Sequence, residues 1–537
     1  MHRPPLPASA RNTAALLSGA LLPVAFAPLS WWAVAIICCA VLNLALRNAT
    51  PGQTFAACLL FGIGLYATGA SWIYVSIHQY GQAPLLLATL LTALFVIGLG
   101  AVFALPLIFY AYTKHGNPCL RVFLFAAIWV IGEWFRGWFL TGFPWLYLGY
   151  GLVDTWLAGW APIGGVLAIS GIVAFSGAVL AEGSVKLYQR RYNSAIPEHR
   201  LPQNQGSSKN QNQDFSQNQP EMTGTILLIL TLLILTALWL GGSLLQKQEW
   251  TQPAATSPLS VTLVQPNNPV LTKWDQNTLP TILSDIRKKT VALAHQDIIV
   301  WPEAAIPALQ NSVQGFLDEL DDIAVDQQTA LVMGLPTSAN NQYFNAVIGL
   351  GAATGSYQKR RLVPFGEYVP LEQWLRGAIA FFDLPMSSFS AGGDQQALIQ
   401  IGPYRLATAI CYEIAYSGPL ATDARLANLL LTVSNDTWFG DSLGPHQHLQ
   451  IARIRALETG KALMRATNDG ITAFIDAKGR VQSQLPRFSP GVLQGTVMPR
   501  QGTTPYTRWG VLPVISLCLV LLVTALMLSL RRRNKKT

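Results

Sequence analysis

Three residues between positions 258 and 500 carry side chains suited to covalent catalysis: Glu303 in DIIVWPE, Lys359 in YQKRRLVPFGEYVP and Cys411 in YRLATAICYE. A thiolate attacks a carbonyl carbon, a carboxylate within reach can take the thiol proton, and a fixed ammonium can neutralise the oxyanion that forms. Cys411 has no disulfide partner in its own segment. The other five cysteines, Cys38, Cys39, Cys58, Cys119 and Cys518, all lie in or beside long apolar runs. A small buried core residue is the competing explanation for a lone thiol. Its place at the end of an apolar run, where α/β folds put their sites, points to chemistry instead. Glu303 closes DIIVW in the same way, against the alternative of a solvated acid at a strand end. Lys359 sits with Arg360 and Arg361 in a basic cluster for which contact with anionic lipid is the other reading. Glu367, in the turn Phe365-Gly366-Glu367, and Glu413, two residues after Cys411, add further carboxylates.

The elements that position these groups are legible around them. Short β-rich runs recur between turn signals: SVTLVQPN, DIIVWPE, ALVMGLPT, NAVIGL, YRLATAICYE, NLLLTVSND, ALMRATNDG and ITAFIDAKG. Helical stretches such as NTLPTILSDIRKKTVALAHQ and HQHLQIARIRALETGK lie between several of them. Nearly continuous apolar strands predict sheets covered on both faces, so this part is α/β, with residues enough for a full core.

The rest of the chain is of another kind. Of 537 residues 51% are hydrophobic and only 12% charged, and the mean hydropathy is +0.33. Soluble chains carry about 25% charged residues, so neither a disordered chain nor a single soluble domain fits. Apolar stretches begin near Ala14, Trp31, Phe55, Leu85, Val122, Trp160, Ile226 and Val511, and predict about eight membrane-spanning helices. The first two form a hairpin around PVAFAPLS, and residues 141–159 lie partly in the interface. No small-residue cleavage site follows the first run, which is therefore a retained span. The net charge of +9 is placed beside spans, which explains it without nucleic acid. Arg3, Arg11, Arg47, Lys114, Arg121, Lys186, Arg190, Arg191, Arg200 and Arg531 to Arg533 all fall on one side if the spans alternate. Positive residues stay inside, so both termini are expected in the cytoplasm and the segment 258–500 outside. The expected division is a helical membrane domain at 1–250, an α/β domain at 258–500 and a last span at 508–530. The polar loop 192–222 reads as a flexible linker without chemistry.

Taken in order, W-P-E, K-x-x-L-V-P-F-G-E and C-Y-E resemble the Glu-Lys-Cys site of the nitrilase superfamily, also called carbon–nitrogen hydrolases. With FAPLSWW, SWIYVSIHQYG and GFPWLYLGY in the apolar part, the whole chain resembles the apolipoprotein N-acyltransferase family, membrane-embedded members of that superfamily. The resemblance implies an α-β-β-α sandwich inserted between the last two spans. It implies transfer of an acyl chain from a phospholipid, of phosphatidylethanolamine type, through a cysteine thioester to the α-amine of a diacylglyceryl-apolipoprotein. This is the last step of bacterial lipoprotein maturation, set in the inner membrane with the catalytic domain in the periplasm. Glu303 is then general base, Lys359 the oxyanion partner and Cys411 the nucleophile, with the Tyr412 N–H as a second oxyanion donor. Glu367, Glu413 and Asn345 take supporting places, and Trp274 and Trp438 line an acyl or headgroup entrance. No cofactor or metal is required, and His446 and His448 in PHQH lack the acidic or thiol companions of a metal site. Glu133 and Arg136, near a span end, are expected to pair with each other. A membrane-tethered amidase acting on a small exported substrate would share the triad. A non-catalytic transporter or scaffold would not need Cys411.

Overall fold

The computed structural model describes residues 7–112, 118–195, 214–368 and 388–534. Helices stand at each of the expected apolar stretches: Ala8–Leu21, Ala33–Ala45, Pro51–Gly69, Leu85–Tyr112, Pro118–Arg136, Ala161–Ala195, Asp214–Leu245 and Leu512–Asn534. Four helical segments among the described residues are long and apolar enough to cross a membrane: Pro51–Gly69, Leu85–Tyr112, Pro118–Arg136 and Trp156–Gln189. The first two helices are short, with 14 and 13 residues. At 1.5 Å per residue each rises only about 20 Å, against a hydrocarbon thickness of about 30 Å. A 3-10 turn at Leu22–Ala25 follows the first, as a hairpin requires. Arg47 and Arg121, expected on the same side, both reach Glu182, at 3.0 and 2.8 Å. The linker 192–222 falls largely outside the described residues. Its first residues continue the helix Ala161–Ala195, and its last residues begin the helix Asp214–Leu245.

The described α/β part contains two large sheets and a short antiparallel pair of β1 (Gln252–Pro253) with β15 (Arg500–Gln501). In the first, β2 (Leu259–Gln265), β3 (Ile298–Val300) and β4 (Ala330–Ala339) run parallel. β5 (Gln342–Gly351) and β7 (Ser356–Gln358) extend it beyond β4, and β14 (Gly491–Val497) closes the other edge, all antiparallel to their neighbours. In the second, β9 (Tyr404–Ile410), β10 (Leu429–Ser434) and β11 (Leu463–Thr467) are parallel. β12 (Ala473–Ile475) and β13 (Val481–Gln484) flank β11, while β8 (Ile399–Ile401) and β6 (Ala353–Thr354) flank β9. Alternation with period two sorts each strand's side chains to opposite faces. Ile298 and Val300 turn inward and meet Ile410, Leu431 and Met464 of the other sheet. Ile299 and Trp301 turn outward under the helices Leu279–Leu293 and Gln314–Asp326. On the far side Ala407, Ala409 and Leu430 pack toward the helix Gly444–Thr459. The result is a four-layer α-β-β-α sandwich.

The helix Gly444–Thr459 decides how the two parts of the chain meet. Fourteen of its 16 residues are buried, polar ones included, because one face covers the sheet and the other meets the membrane helices. Its polar side chains therefore dock on backbone and side chains of the apolar part. Gln447 accepts the Trp145 indole N–H at 2.7 Å and donates to the Gly69 carbonyl at 3.0 Å. Gln450 accepts the Ala27 N–H at 3.2 Å. Arg455 pairs with Glu458, donates to Tyr150 Oη at 2.7 Å and to the Ile414 carbonyl at 3.0 Å, while Glu458 accepts the Val166 N–H at 2.9 Å. Residues 141–159, expected partly at the interface, contain the 3-10 turns Leu148–Leu152 and most of Trp156–Trp160, which pack on this helix, with Trp145 fully buried.

Glu133 and Arg136 do not pair with each other, as expected from sequence; both hold this segment instead. Glu133 accepts the Trp129 indole N–H at 3.0 Å and the Leu148 N–H at 2.8 Å. Arg136 donates to the carbonyls of Phe143 and Trp145 at 2.7 and 2.5 Å. A turn with few ladder bonds leaves backbone groups to be satisfied, and these two side chains satisfy them.

Removing Arg455 strands a buried carboxylate at Glu458. Arg455→Ala is expected to cost about 3–5 kcal/mol, read as a lowered thermal unfolding midpoint in detergent. Arg455→Ala combined with Glu458→Gln costs less than Arg455→Ala alone, since no unpaired charge then remains. Equal losses would show that the stranded Glu458 charge is not the source of the cost.

Candidate active site

The three residues singled out by chemistry leave the carboxyl ends of neighbouring strands. Glu303 follows β3 through Trp301 and Pro302, Lys359 follows β7 directly, and Cys411 follows β9 and opens the helical turn Cys411–Ala415. Cys411 has φ +52°, in the left-handed region that costs an L-residue about 1–2 kcal/mol. Such a conformation persists only if its surroundings hold it. Glu413 supplies much of that hold. Its carboxylate accepts the Ile410 N–H at 2.8 Å, the Arg360 and Arg361 N–H groups at 2.6 and 3.0 Å, and the Tyr357 hydroxyl at 3.1 Å to each oxygen. One buried acid thus ties the nucleophile's turn to the backbone that carries Lys359. It acts through that backbone, with no hydrogen bond or ion pair to the ammonium among the described residues.

Lys359 is 1% exposed and lies between two carboxylates. Its Nζ is 2.8 Å from Glu367 and 3.5 Å from Glu303 Oε1. Asn345 joins the two acids, donating from Nδ2 to Glu303 at 2.8 Å and to Glu367 at 2.9 Å, and its carbonyl accepts the Lys359 N–H at 2.8 Å. The remaining oxygens are also used: Glu303 Oε2 accepts the Asn435 N–H at 2.7 Å, and Glu367 Oε2 the Val363 N–H at 2.8 Å. Burial alone would push the ammonium down, but Glu367 and Glu303 outweigh it and hold the amine well above its usual range. Lys359 is a permanent cation here, unable to serve as a base. Cys411 is half-buried. Burial and the Glu303 carboxylate push its thiol up, and Lys359 opposes them without winning. The resting sulfur is therefore a thiol, and a base must take its proton as it attacks.

Tyr412 and Trp438 stand at the boundary with the helical part. The Tyr412 ring stacks on Trp145 with centroids 6.2 Å apart, and its hydroxyl donates to the Gly142 carbonyl at 3.2 Å. Its backbone N–H belongs to the first turn of Cys411–Ala415, where such groups lack an acceptor within the turn. Trp438 packs edge-on to Tyr80, centroids 6.1 Å apart, and its carbonyl accepts the Ser76 hydroxyl at 2.7 Å. Trp274 follows Lys273, whose ammonium donates to the Glu303 carbonyl at 3.4 Å. The motif SWIYVSIHQYG thus meets the site through its last residues.

Sequence reasoning missed a buried group behind Cys411. His448 Nε2 lies 3.0 Å from the Cys411 carbonyl oxygen, which can only accept, so that nitrogen carries the proton. The ring's other nitrogen is 3.0 Å from Asp436 Oδ1 and 3.1 Å from Arg465 Nη2. Arg465 in turn pairs with Asp436 Oδ2 at 2.6 Å. Burial and the Arg465 charge push the imidazole down, toward its neutral form. PHQH attracted notice only as a weak metal motif, because its partners at 411, 436 and 465 come from three other elements. Lys273 escaped notice for the same reason. Burial pushes its ammonium down to about 8, against the Glu303 and Asp469 carboxylates. His446 is a separate, half-buried residue.

Residues 18–179 match the apolipoprotein N-acyltransferase N-terminal domain, and residues 260–505 match the carbon–nitrogen hydrolase family. The chain is 42% identical over 523 residues to the apolipoprotein N-acyltransferase of Pseudomonas syringae pv. tomato, covering 96% of both chains. The chain belongs to the apolipoprotein N-acyltransferase family. A Vibrio cholerae member is 36% identical over 522 residues, covering 94% of each. Among solved structures, the Nesterenkonia AN1 amidase from the nitrilase superfamily is 20% identical, with a TM-score of 0.35 over 46% of this chain and 93% of its own. A nitrilase-superfamily member from Saccharomyces cerevisiae is 15% identical, with a TM-score of 0.35 over 47% and 93%.

A raised thiol pKa fixes the sign of one pH dependence for this family member. Alkylation of Cys411 by iodoacetamide should rise about tenfold per pH unit between about pH 6 and 9, because only the thiolate reacts and its fraction is still climbing there. A plateau near neutral pH would mean a stabilised thiolate instead. Separately, His448→Ala should lower the acyltransfer rate with little change in KM, and His448→Gln, which keeps a donor, should recover part of it. Equal rates in both variants would leave the ring a packing role only.

Proposed function

We propose that the chain transfers an acyl chain from a phosphatidylethanolamine-type phospholipid to the α-amine of the diacylglyceryl-modified N-terminal cysteine of apolipoproteins, through a thioester on Cys411. The reaction class is that of its family: it is an acyltransferase, and N-acylation of lipoproteins is its activity. The observation that carries the residue assignment is one buried ammonium held between two carboxylates at the strand ends from which the lone thiol also emerges.

In the first half-reaction Cys411 Sγ attacks the ester carbonyl of the donor while Glu303 accepts the thiol proton. The oxyanion forms against Lys359 and the Tyr412 N–H. On collapse the C–O bond breaks, the thioester forms, and Glu303 returns the proton to the departing lysophospholipid. In the second, the acceptor's free amine attacks the thioester carbonyl and gives up a proton to Glu303. The C–S bond breaks, the amide forms, and the thiol is restored with that proton. Glu367 and Asn345 fix Lys359 and Glu303 in place, and Glu413 sets the Lys359 loop against the nucleophile's turn. Trp274 and Trp438 border the approach.

Both substrates are anchored by acyl chains, and withdrawing one from the bilayer costs about 0.8 kcal/mol per CH₂. A thiol held at the membrane surface avoids that cost. Trp145 against Tyr412, and Tyr80 against Trp438, support this placement by setting the site directly on the helical part. On this reading residues 1–250 form the membrane domain, 258–500 the catalytic domain and 508–530 a further span. Charge placement supports cytoplasmic termini and a periplasmic catalytic domain in the inner membrane of a bacterium. A tethered amidase would share the triad but has no need of the apolar half.

The purified protein incubated with acyl-labelled phosphatidylethanolamine should become covalently labelled, and neutral hydroxylamine should release the label. Cys411→Ala should carry none. Glu303→Gln should slow labelling by about 10²–10⁴-fold, and Lys359→Met by about 10²–10³-fold. Addition of a diacylated lipopeptide with a free N-terminus should discharge the label into a hydroxylamine-stable product. Stable label on Cys411→Ala, or release only as free fatty acid, would sink the proposal.

A further inference from the structure

A second site lies at the far end of the helix Gly444–Thr459. His448, beside the nucleophile, and Gly460, just past the helix, are separated by 12 residues, or about 18 Å along the axis. There a cavity of about 180 Å³ opens between the catalytic domain and the ends of two apolar helices, lined by Gly159 and Pro162 of one and by Leu245 and Gln246 of the other. The ends of two membrane helices lie at headgroup depth.

The cavity's charged lining is unbalanced. Arg453, Lys478, Arg480 and Arg500 face only Asp154 and Glu249, which leaves a net charge of 4 − 2 = +2. Arg453 reaches Asp154 at 3.0 Å, and Arg500 and Lys478 share Glu249 at 2.7 Å each. Arg480 is exposed and has no carboxylate partner among the described residues. Trp250 also lines the cavity, and its indole N–H is buried without an acceptor among the described residues. An orphaned buried donor costs about 1–3 kcal/mol, which an arriving acceptor would recover. An unpaired guanidinium and an unused N–H at headgroup depth call for an anionic oxygen group with chains running into the bilayer.

We propose that this cavity binds the phosphate group of a bilayer phospholipid, at a position separate from Cys411, fastening the catalytic domain to the membrane surface. The chemistry is shared by free phosphate, and headgroup depth favours the lipid. The proposal rests on Trp156–Gln189 spanning the membrane, and is independent of acyl transfer at Cys411.

The test uses the full-length Cys411→Ala protein in neutral detergent, with retained ligand counted by native mass spectrometry. The probes are dihexanoyl phosphatidylglycerol, the matching diacylglycerol and inorganic phosphate. The phosphatidylglycerol should be retained in a form that Arg480→Glu weakens by about tenfold or more and Trp250→Phe by a smaller factor, while diacylglycerol is not retained there. With Cys411 restored, hydroxylamine-labile labelling of Arg480→Glu from a short-chain soluble donor should match the wild type, which also certifies its fold. Unchanged phosphatidylglycerol retention in an Arg480→Glu, Lys478→Glu double variant would overturn the proposal. So would equal retention of diacylglycerol, or inorganic phosphate binding as tightly as the lipid. Loss of labelling at Cys411 with lipid retention intact would refute the catalytic reading and leave this one standing.

Discussion

One buried ammonium organises the site. Lys359 could not stay charged in so dry a place without Glu367 and Glu303 beside it. The three groups, bridged by Asn345, form a network in which almost every lone pair is used. Such a network has little freedom to rearrange, so its charges are already where a developing oxyanion would need them. The thiol is the complement of this arrangement. Held neutral by burial and by the nearby Glu303, it waits for a carboxylate that is itself tethered.

Two further groups turn that network into a positioned site. Glu413 binds the backbone on either side of the gap, joining the end of β9 to the residues after β7. His448 holds the nucleophile's carbonyl from behind and is held by Asp436 and Arg465. Neither group has to touch a substrate to matter. The left-handed backbone at Cys411 is stable because these bonds fix both sides of it.

The helix Gly444–Thr459 carries the same logic to the scale of the whole chain. His448 near its start serves the nucleophile, Gln447, Gln450 and Arg455 dock the membrane part, and the residues at its end border the cationic cavity. A helix buried on both sides cannot tilt without breaking contacts on two surfaces. The turn that carries Cys411 therefore keeps one height relative to the apolar helices.

The sequence by itself determined the local quantities. Apolar runs located the helices, short β-rich runs between turn signals located eight strands, and residue type at strand ends picked out Glu303, Lys359 and Cys411. It did not reach β6 to β8, β13 and β14, which are short or alternate apolar with polar at a sheet edge, where burial leaves little imprint. It also misjudged Glu133 and Arg136, whose closeness in sequence suggested a pair when a distant loop had greater need of both. Only the tertiary structure decided which elements converge: that His448, Asp436 and Arg465 meet behind Cys411, that Glu413 serves backbone, and that four cations gather against two acids at the helix ends. Local pattern is written by a residue's neighbours in the chain, whereas hydrogen bonds and charge balance belong to neighbours in space, and those exist only once the sheets and helices have packed.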